Sequence, residues 1–112
     1  MLKVVTAMKQ GVLVIKLEGE LDVCGADNFR MTVDQALDET GAKNILLNMQ
    51  AVSFIDSSGL GVILGRYKRI NQLGGKLLVI HLEPQVQRIF ELAGLMKIFT
   101  FYKSEEQALE QL

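Results

Sequence analysis

Asn44-Ile45-Leu46-Leu47-Asn48-Met49 is a short apolar run bounded by polar residues, and its length suits a buried strand better than a helix. From Ser57 to Leu73 the residues Leu60, Ile63, Leu64, Tyr67 and Ile70 fall on one arc, the buried stripe of a helix that Gly74-Gly75 brings to a stop. Lys76-Leu77-Leu78-Val79-Ile80 then forms another buried run of strand length. A strand, a helix and a second strand in that order make a crossover unit, so the strands are expected to be parallel and the connection right-handed.

The same reading extends to both ends. Residues 2–9 and 12–18 read as strands around a Gln10-Gly11 turn, with Leu13, Ile15 and Leu17 alternating against Val12, Val14, Lys16 and Glu18. A helix is expected after Gly25, with Ala26, Phe29, Val33, Ala36 and Leu37 on its apolar face and Gly41 just past its end. Pro84 opens another helix at its first turn, where a missing N–H costs nothing, and Val86, Ile89, Phe90 and Ala93 line it before Gly94 ends it. A short strand over Ile98 to Phe101 follows, and Ser104-Glu105-Glu106-Gln107 is a capping box leading into Ala108, Leu109 and Leu112. The order is ββαβαβαβα, an α/β fold with a mixed sheet. No repeat, low-complexity stretch or linker divides the chain, so residues 1–112 are expected to form one domain.

Composition narrows the function classes. Twelve Lys and Arg against thirteen Asp and Glu, with neither sign gathered into a tail, leave no general footprint for nucleic acid. Hydrophobic residues at 49% and charged residues at 22% are ordinary globular usage. The N-terminal segment carries Lys3, Lys9 and Lys16, and no run of about 20 apolar residues occurs, so neither export nor membrane insertion is expected. The single cysteine, Cys24, has no intrachain partner, which favours a reducing, cytoplasmic location; on composition it reads as a small apolar filler. With one histidine, His81, the ligand inventory for a metal is thin, and neither metal nor cofactor is expected.

Chemistry is concentrated in Val52-Ser53-Phe54-Ile55-Asp56-Ser57-Ser58-Gly59-Leu60-Gly61-Val62-Ile63-Leu64-Gly65-Arg66-Tyr67-Lys68-Arg69. It leads from the loop at the end of a buried strand into a helix N-terminus, where Asp56 or Ser57 serves as an N-cap on the plain structural reading. Gly59, Gly61 and Gly65 within one helix give up about 2–3 kcal/mol of propensity together, so something needs them. Ser57, Gly61, Gly65 and Lys68 fall on one strip, which lets another backbone approach beside a serine hydroxyl; packing against the protein's own sheet is the other reading of the glycines. The spacing GxGxxxG is neither a dinucleotide fingerprint nor a phosphate loop, and the serines lack a nucleophile elbow and a nearby histidine, so catalysis is not expected.

These residues resemble the bacterial anti-sigma factor antagonists of the STAS-domain type. The resemblance runs through Gly19-Glu20-Leu21-Asp22, the block from Asp56 to Lys68, Gly74-Gly75 and Gly94-Leu95. It implies that Ser57 is phosphorylated by a partner anti-sigma factor that is an ATP-dependent serine kinase, with Ser58 the second candidate. It implies also that the unphosphorylated form binds this kinase and displaces its sigma factor, and that a PP2C-type phosphatase restores that form. Asp22, Asp56, Ser57, Ser58, Gly59, Gly61, Gly65, Arg66 and Arg69 are the expected partner-binding residues, with the two arginines on a solvated face open to an acidic partner. Relatives often carry polar residues and a Thr or Ser where this chain has Val23-Cys24-Gly25-Ala26, so a weaker cap is expected for that helix. A STAS module that senses a nucleotide or other small ligand at the same helix N-terminus is the alternative.

Overall fold

A computed structural model describes residues 1–112. Nine elements follow the expected order: β1 (Lys3–Lys9), β2 (Val12–Leu21), α1 (Val23–Thr40), β3 (Ile45–Ile55), α2 (Ser57–Asn71), β4 (Leu77–Ile80), α3 (Pro84–Leu92), β5 (Thr100–Tyr102) and α4 (Glu105–Leu109). The strands form one sheet in sequence order, β1-β2-β3-β4-β5, with β1 antiparallel to β2 and every other pair parallel. A sheet that grows in one direction through right-handed crossovers must place all its crossover helices on one face. That is what the core shows: Phe29, Val33 and Leu37 of α1, Leu60, Ile63 and Ile70 of α2, and Val86 and Phe90 of α3 join Leu13, Ile15, Leu17 and Leu47 in a single cluster. On the other face Val12, Val14, Leu46, Leu78 and Ile80 are covered by Ala108 of α4. This is why Val12 to Ile15 are all buried although their side chains alternate between faces.

Turn chemistry fixes the connections. Gln10 and Gly11 both adopt positive φ (52° and 78°), the pairing of left-handed residues that a two-residue hairpin turn requires. Gly41 (φ 67°) closes α1 with its N–H donated to the Leu37 carbonyl. Gly75 has no room for a side chain, since a Cβ there would lie 1.6 Å from the Lys43 carbonyl oxygen.

Several boundaries differ from the sequence reading. β2 runs on to Leu21 and β3 to Ile55, so Gly19-Glu20-Leu21 and Val52 to Ile55 are strand rather than loop. The two extensions pair with each other, through Gly19 with Val52, Glu20 with Phe54 and Leu21 with Ile55, and β3 carries one extra residue at each of two irregularities, opposite Lys16–Glu18 and opposite Gly19–Glu20. α1 starts at Val23, before Gly25, and α2 ends at Asn71. The last strand is Thr100–Tyr102, shifted from the expected Ile98 to Phe101, because Phe99 turns inward to an edge-on aromatic cluster with Tyr67, Phe90 and Phe101. Ala93 is the exposed C-cap of α3 rather than part of its lining. Cys24 is exposed in the first turn of α1, not an apolar filler.

Candidate functional site

Two matched strand-to-helix connections lie side by side. β2 and β3 are parallel neighbours that end level at Leu21 and Ile55. A single aspartate separates each strand from its helix: Asp22 (φ −117°, ψ −168°) before α1 and Asp56 (φ −119°, ψ −172°) before α2. Asp22 Oδ1 accepts the N–H groups of Cys24 and Gly25, each at 3.0 Å, so the α1 cap is fully formed and not weakened by Val23-Cys24-Gly25. Asp56 Oδ1 accepts the Gly59 N–H at 3.0 Å, while its Oδ2 accepts the Val23 N–H of the neighbouring helix at 3.2 Å. One carboxylate therefore ties both helix N-termini together.

The glycine three residues after each aspartate makes this close approach possible. A Cβ on Gly25 would stand 2.9 Å from the Glu20 carbonyl oxygen, and one on Gly59 would stand 2.1 Å from that of Leu21. Gly59 is buried against the end of β2, so it sets the position of α2 and offers no surface to a partner. Gly61 and Gly65 are the opposite case, with open space where a Cβ would stand. Internal packing explains the first of the three helical glycines and leaves the other two unexplained.

Ser57 is the first residue of α2 and is exposed; Ser58 beside it is half-buried. Val23, the first residue of α1, is its positional counterpart and is 69% exposed, and Phe54, two residues before Asp56, is 49% exposed. Sequence reasoning passed over Val23, although the repeat of aliphatic-Asp-x-x-Gly in Leu21-Asp22-Val23-Cys24-Gly25 and Ile55-Asp56-Ser57-Ser58-Gly59 places it opposite Ser57.

Arg66 and Arg69 do not belong to this surface. They lie between α2 and α1: Arg66 Nε is 3.1 Å from Asp34 Oδ1, Arg69 Nη1 is 3.2 Å from the same oxygen, and Arg69 Nη2 donates to Asp38. The Arg66 side chain is only 13% exposed, and its Nε and Nη1 make no aligned hydrogen bond. Burial pushes the Arg66 guanidinium below its ordinary value against the pull of Asp34, whereas the hydrogen bond to Asp38 raises Arg69. The expectation that both arginines sit on a free solvated face is corrected accordingly; Lys68, between them in sequence, is exposed.

The end of the molecule around Ser57 is acidic. Glu20 and Asp27 are exposed, Asp22 and Asp56 are half-buried, and Arg30 is paired with Asp27 at 3.2 Å. The two aspartates engage the first three N–H groups of α1, those of Val23, Cys24 and Gly25, but at α2 only that of Gly59.

The STAS domain family model matches residues 3–108 of the chain. The protein belongs to the STAS family. This STAS domain is 46% identical over 103 residues to the anti-sigma F factor antagonist of Paenibacillus polymyxa, an overlap of 92% of the chain and 88% of that relative, which makes it a STAS domain of the anti-sigma factor antagonist type. Two solved structures extend the likeness to the whole fold. The unphosphorylated form of the anti-sigma factor antagonist SpoIIAA matches at a TM-score of 0.76 and 25% identity, covering 97% of this chain and 96% of that one. The phosphorylated form of the Bacillus cell fate determinant SpoIIAA matches at 0.75 and 27% identity, covering 97% and 98%. No helix of this STAS domain is long and apolar enough to cross a membrane.

Proposed function

We propose that the chain, acting as one STAS domain over residues 1–112, is a phosphorylation-switched binding module without chemistry of its own. In its unphosphorylated form it binds an anti-sigma factor that is also a serine kinase, and so releases a sigma factor. That kinase inactivates it by phosphorylating Ser57, and a PP2C-type phosphatase returns it to the active form. The observation that carries the reading is the exposed hydroxyl of Ser57 at the first position of α2, on a helix whose outward glycines, Gly61 and Gly65, leave room for a partner backbone. The exposed, unpaired Cys24 is compatible with work in the reducing cytoplasm. Sporulation is the pathway that fits the name of the Paenibacillus polymyxa relative and the likeness to SpoIIAA.

Electrostatics supports a switch at this position. An ATP-dependent kinase must place nucleotide phosphates opposite the hydroxyl it modifies, so a phosphoserine there meets like charge. A phosphate adds about 1.5–2 negative charges at neutral pH. Each unit charge facing another at about 4 Å costs roughly 1–4 kcal/mol for effective dielectrics of 80 to 20, or about fivefold to a thousandfold in affinity. Likeness to SpoIIAA structures in both phosphorylation states, at TM-scores of 0.76 and 0.75, fits a modification that changes the surface and spares the fold.

The alternative, a module that senses a nucleotide at the helix N-terminus, is less well supported. Asp22 and Asp56 already accept the first three N–H groups of α1 and the Gly59 N–H of α2, and their two carboxylates at this end oppose a further anion. A competition assay tests the proposal: the wild-type chain is expected to displace sigma factor from the cognate anti-sigma factor, and Ser57→Asp to fail while remaining folded. Equal displacement by the two proteins would contradict it.

A further inference from the structure

Ser57 and Val23 occupy equivalent positions in two matched connections. Each is the first residue of its helix, each follows the capping aspartate, and both are exposed on the same end of the sheet. Val23 is also held firmly in place. Its N–H is bonded to Asp56 Oδ2 at 3.2 Å, and Asp56 in turn caps the helix that carries Ser57, so the Val23 backbone is held relative to the start of that helix through one carboxylate.

A branched apolar side chain that is 69% exposed gains nothing there for the fold, and β-branched residues are poor choices for a helix. Its surroundings are charged. Asp22 precedes it and Asp56 accepts its N–H, Glu20 is exposed three residues earlier, and Asp27, one turn further along the same face of α1, is exposed and paired with Arg30 at 3.2 Å. A rigid apolar group inside an acidic rim is the form that binding anchors take: a buried centre ringed by polar contacts.

The geometry points to Val23 as an apolar docking anchor for the partner that engages Ser57, seated in an aliphatic socket whose rim is basic. This rests on the proposed reading of Ser57 as the kinase-facing residue, and it adds what that reading lacks: an attractive contact that survives outside the phosphoacceptor itself. The acidic rim selects a cationic partner surface, and continuity with Ser57 through Asp56 assigns both contacts to one interface.

The test measures affinity for the cognate anti-sigma factor, with wild type, Val23→Ser and Val23→Thr, at low and at raised salt. The bond to Asp56 comes from the backbone, so neither substitution removes it, and thermal unfolding confirms that each variant folds. Losing one buried aliphatic group is expected to weaken binding about tenfold in Val23→Ser. Affinity of all three proteins is expected to fall with salt. Unchanged affinity in a folded Val23→Ser protein would overturn the anchor while leaving the reading of Ser57 in place, and salt-independent affinity would overturn the basic rim. Wild-type protein that neither binds the anti-sigma factor nor is phosphorylated by it would overturn that reading and the anchor together. A concentration-dependent dimer of the wild-type chain that Val23→Ser abolishes would overturn the assignment in favour of a second copy.

Discussion

Asp56 caps its own helix at Gly59, 3.0 Å from Oδ1, and at the same time accepts the Val23 N–H of the neighbouring helix, 3.2 Å from Oδ2. It is the one side chain that bonds to both N-termini, so it sets the spacing between the two exposed residues that begin them. Removing it leaves two first-turn donors without their carboxylate. Asp56→Ala is therefore expected to cost about 2 kcal/mol by denaturant unfolding, toward the upper end for loss of an N-cap. Asp56→Asn keeps one acceptor oxygen and is expected to recover about half. A stability for Asp56→Ala within about 0.3 kcal/mol of wild type would show that the shared cap does not hold the helices.

The three glycines of α2 should separate cleanly. Gly59→Ala places a Cβ 2.1 Å from a carbonyl oxygen of β2 and 2.8 Å from Ile55 Cγ1, so the start of α2 must shift and the protein lose stability. Gly61→Ala and Gly65→Ala meet nothing within 4 Å, so each should gain about 0.8–1 kcal/mol of helix propensity. If Gly61 and Gly65 are kept open for a partner backbone, the same two variants should bind the anti-sigma factor more weakly while melting higher. Variants that melt higher and bind as well as wild type would remove the partner explanation for these glycines.

Reversal of charge at Arg66 tests the arrangement between α1 and α2. Arg66→Glu would place a second carboxylate beside Asp34 in a half-buried position, and a cost of about 3–5 kcal/mol is expected, as for breaking a buried ion pair. Arg66→Met removes the guanidinium together with its unaligned donors and should lie close to wild type. Arg69→Ala removes a more exposed pair and should cost no more than about 1 kcal/mol. Equal stability of the Arg66→Glu and wild-type proteins would show that Arg66 is a free surface residue.

Much of this architecture was legible because its signals are local. Apolar spacing along Leu60, Ile63 and Ile70, the Gly41 stop, Pro84 and the Ser104 cap each act within a turn or two of their own position. The end of β3 was not legible. Gln50, Ala51, Ser53 and Phe54 are exposed, and two extra residues interrupt the alternation, so nothing in the sequence resembles a strand until its pairing with Gly19 to Leu21 is known. Arg66 was misread for a related reason: its carboxylate, Asp34, is 32 positions earlier, on a helix that only the crossover brings alongside. At the site, Asp56 and Ser57 were evident from their place before a helix. The sharing of Asp56 with Val23 depends on two strands ending level, which no local pattern encodes.

Phosphorylation of Ser57 is tested most directly by intact-mass measurement of the chain after incubation with its cognate anti-sigma kinase and ATP, run beside Ser57→Ala and Ser58→Ala. A single phosphate is expected on the wild-type and Ser58→Ala proteins and none on Ser57→Ala. Phosphate retained by Ser57→Ala, or an unmodified wild-type chain in the presence of a kinase shown to be active, would contradict it.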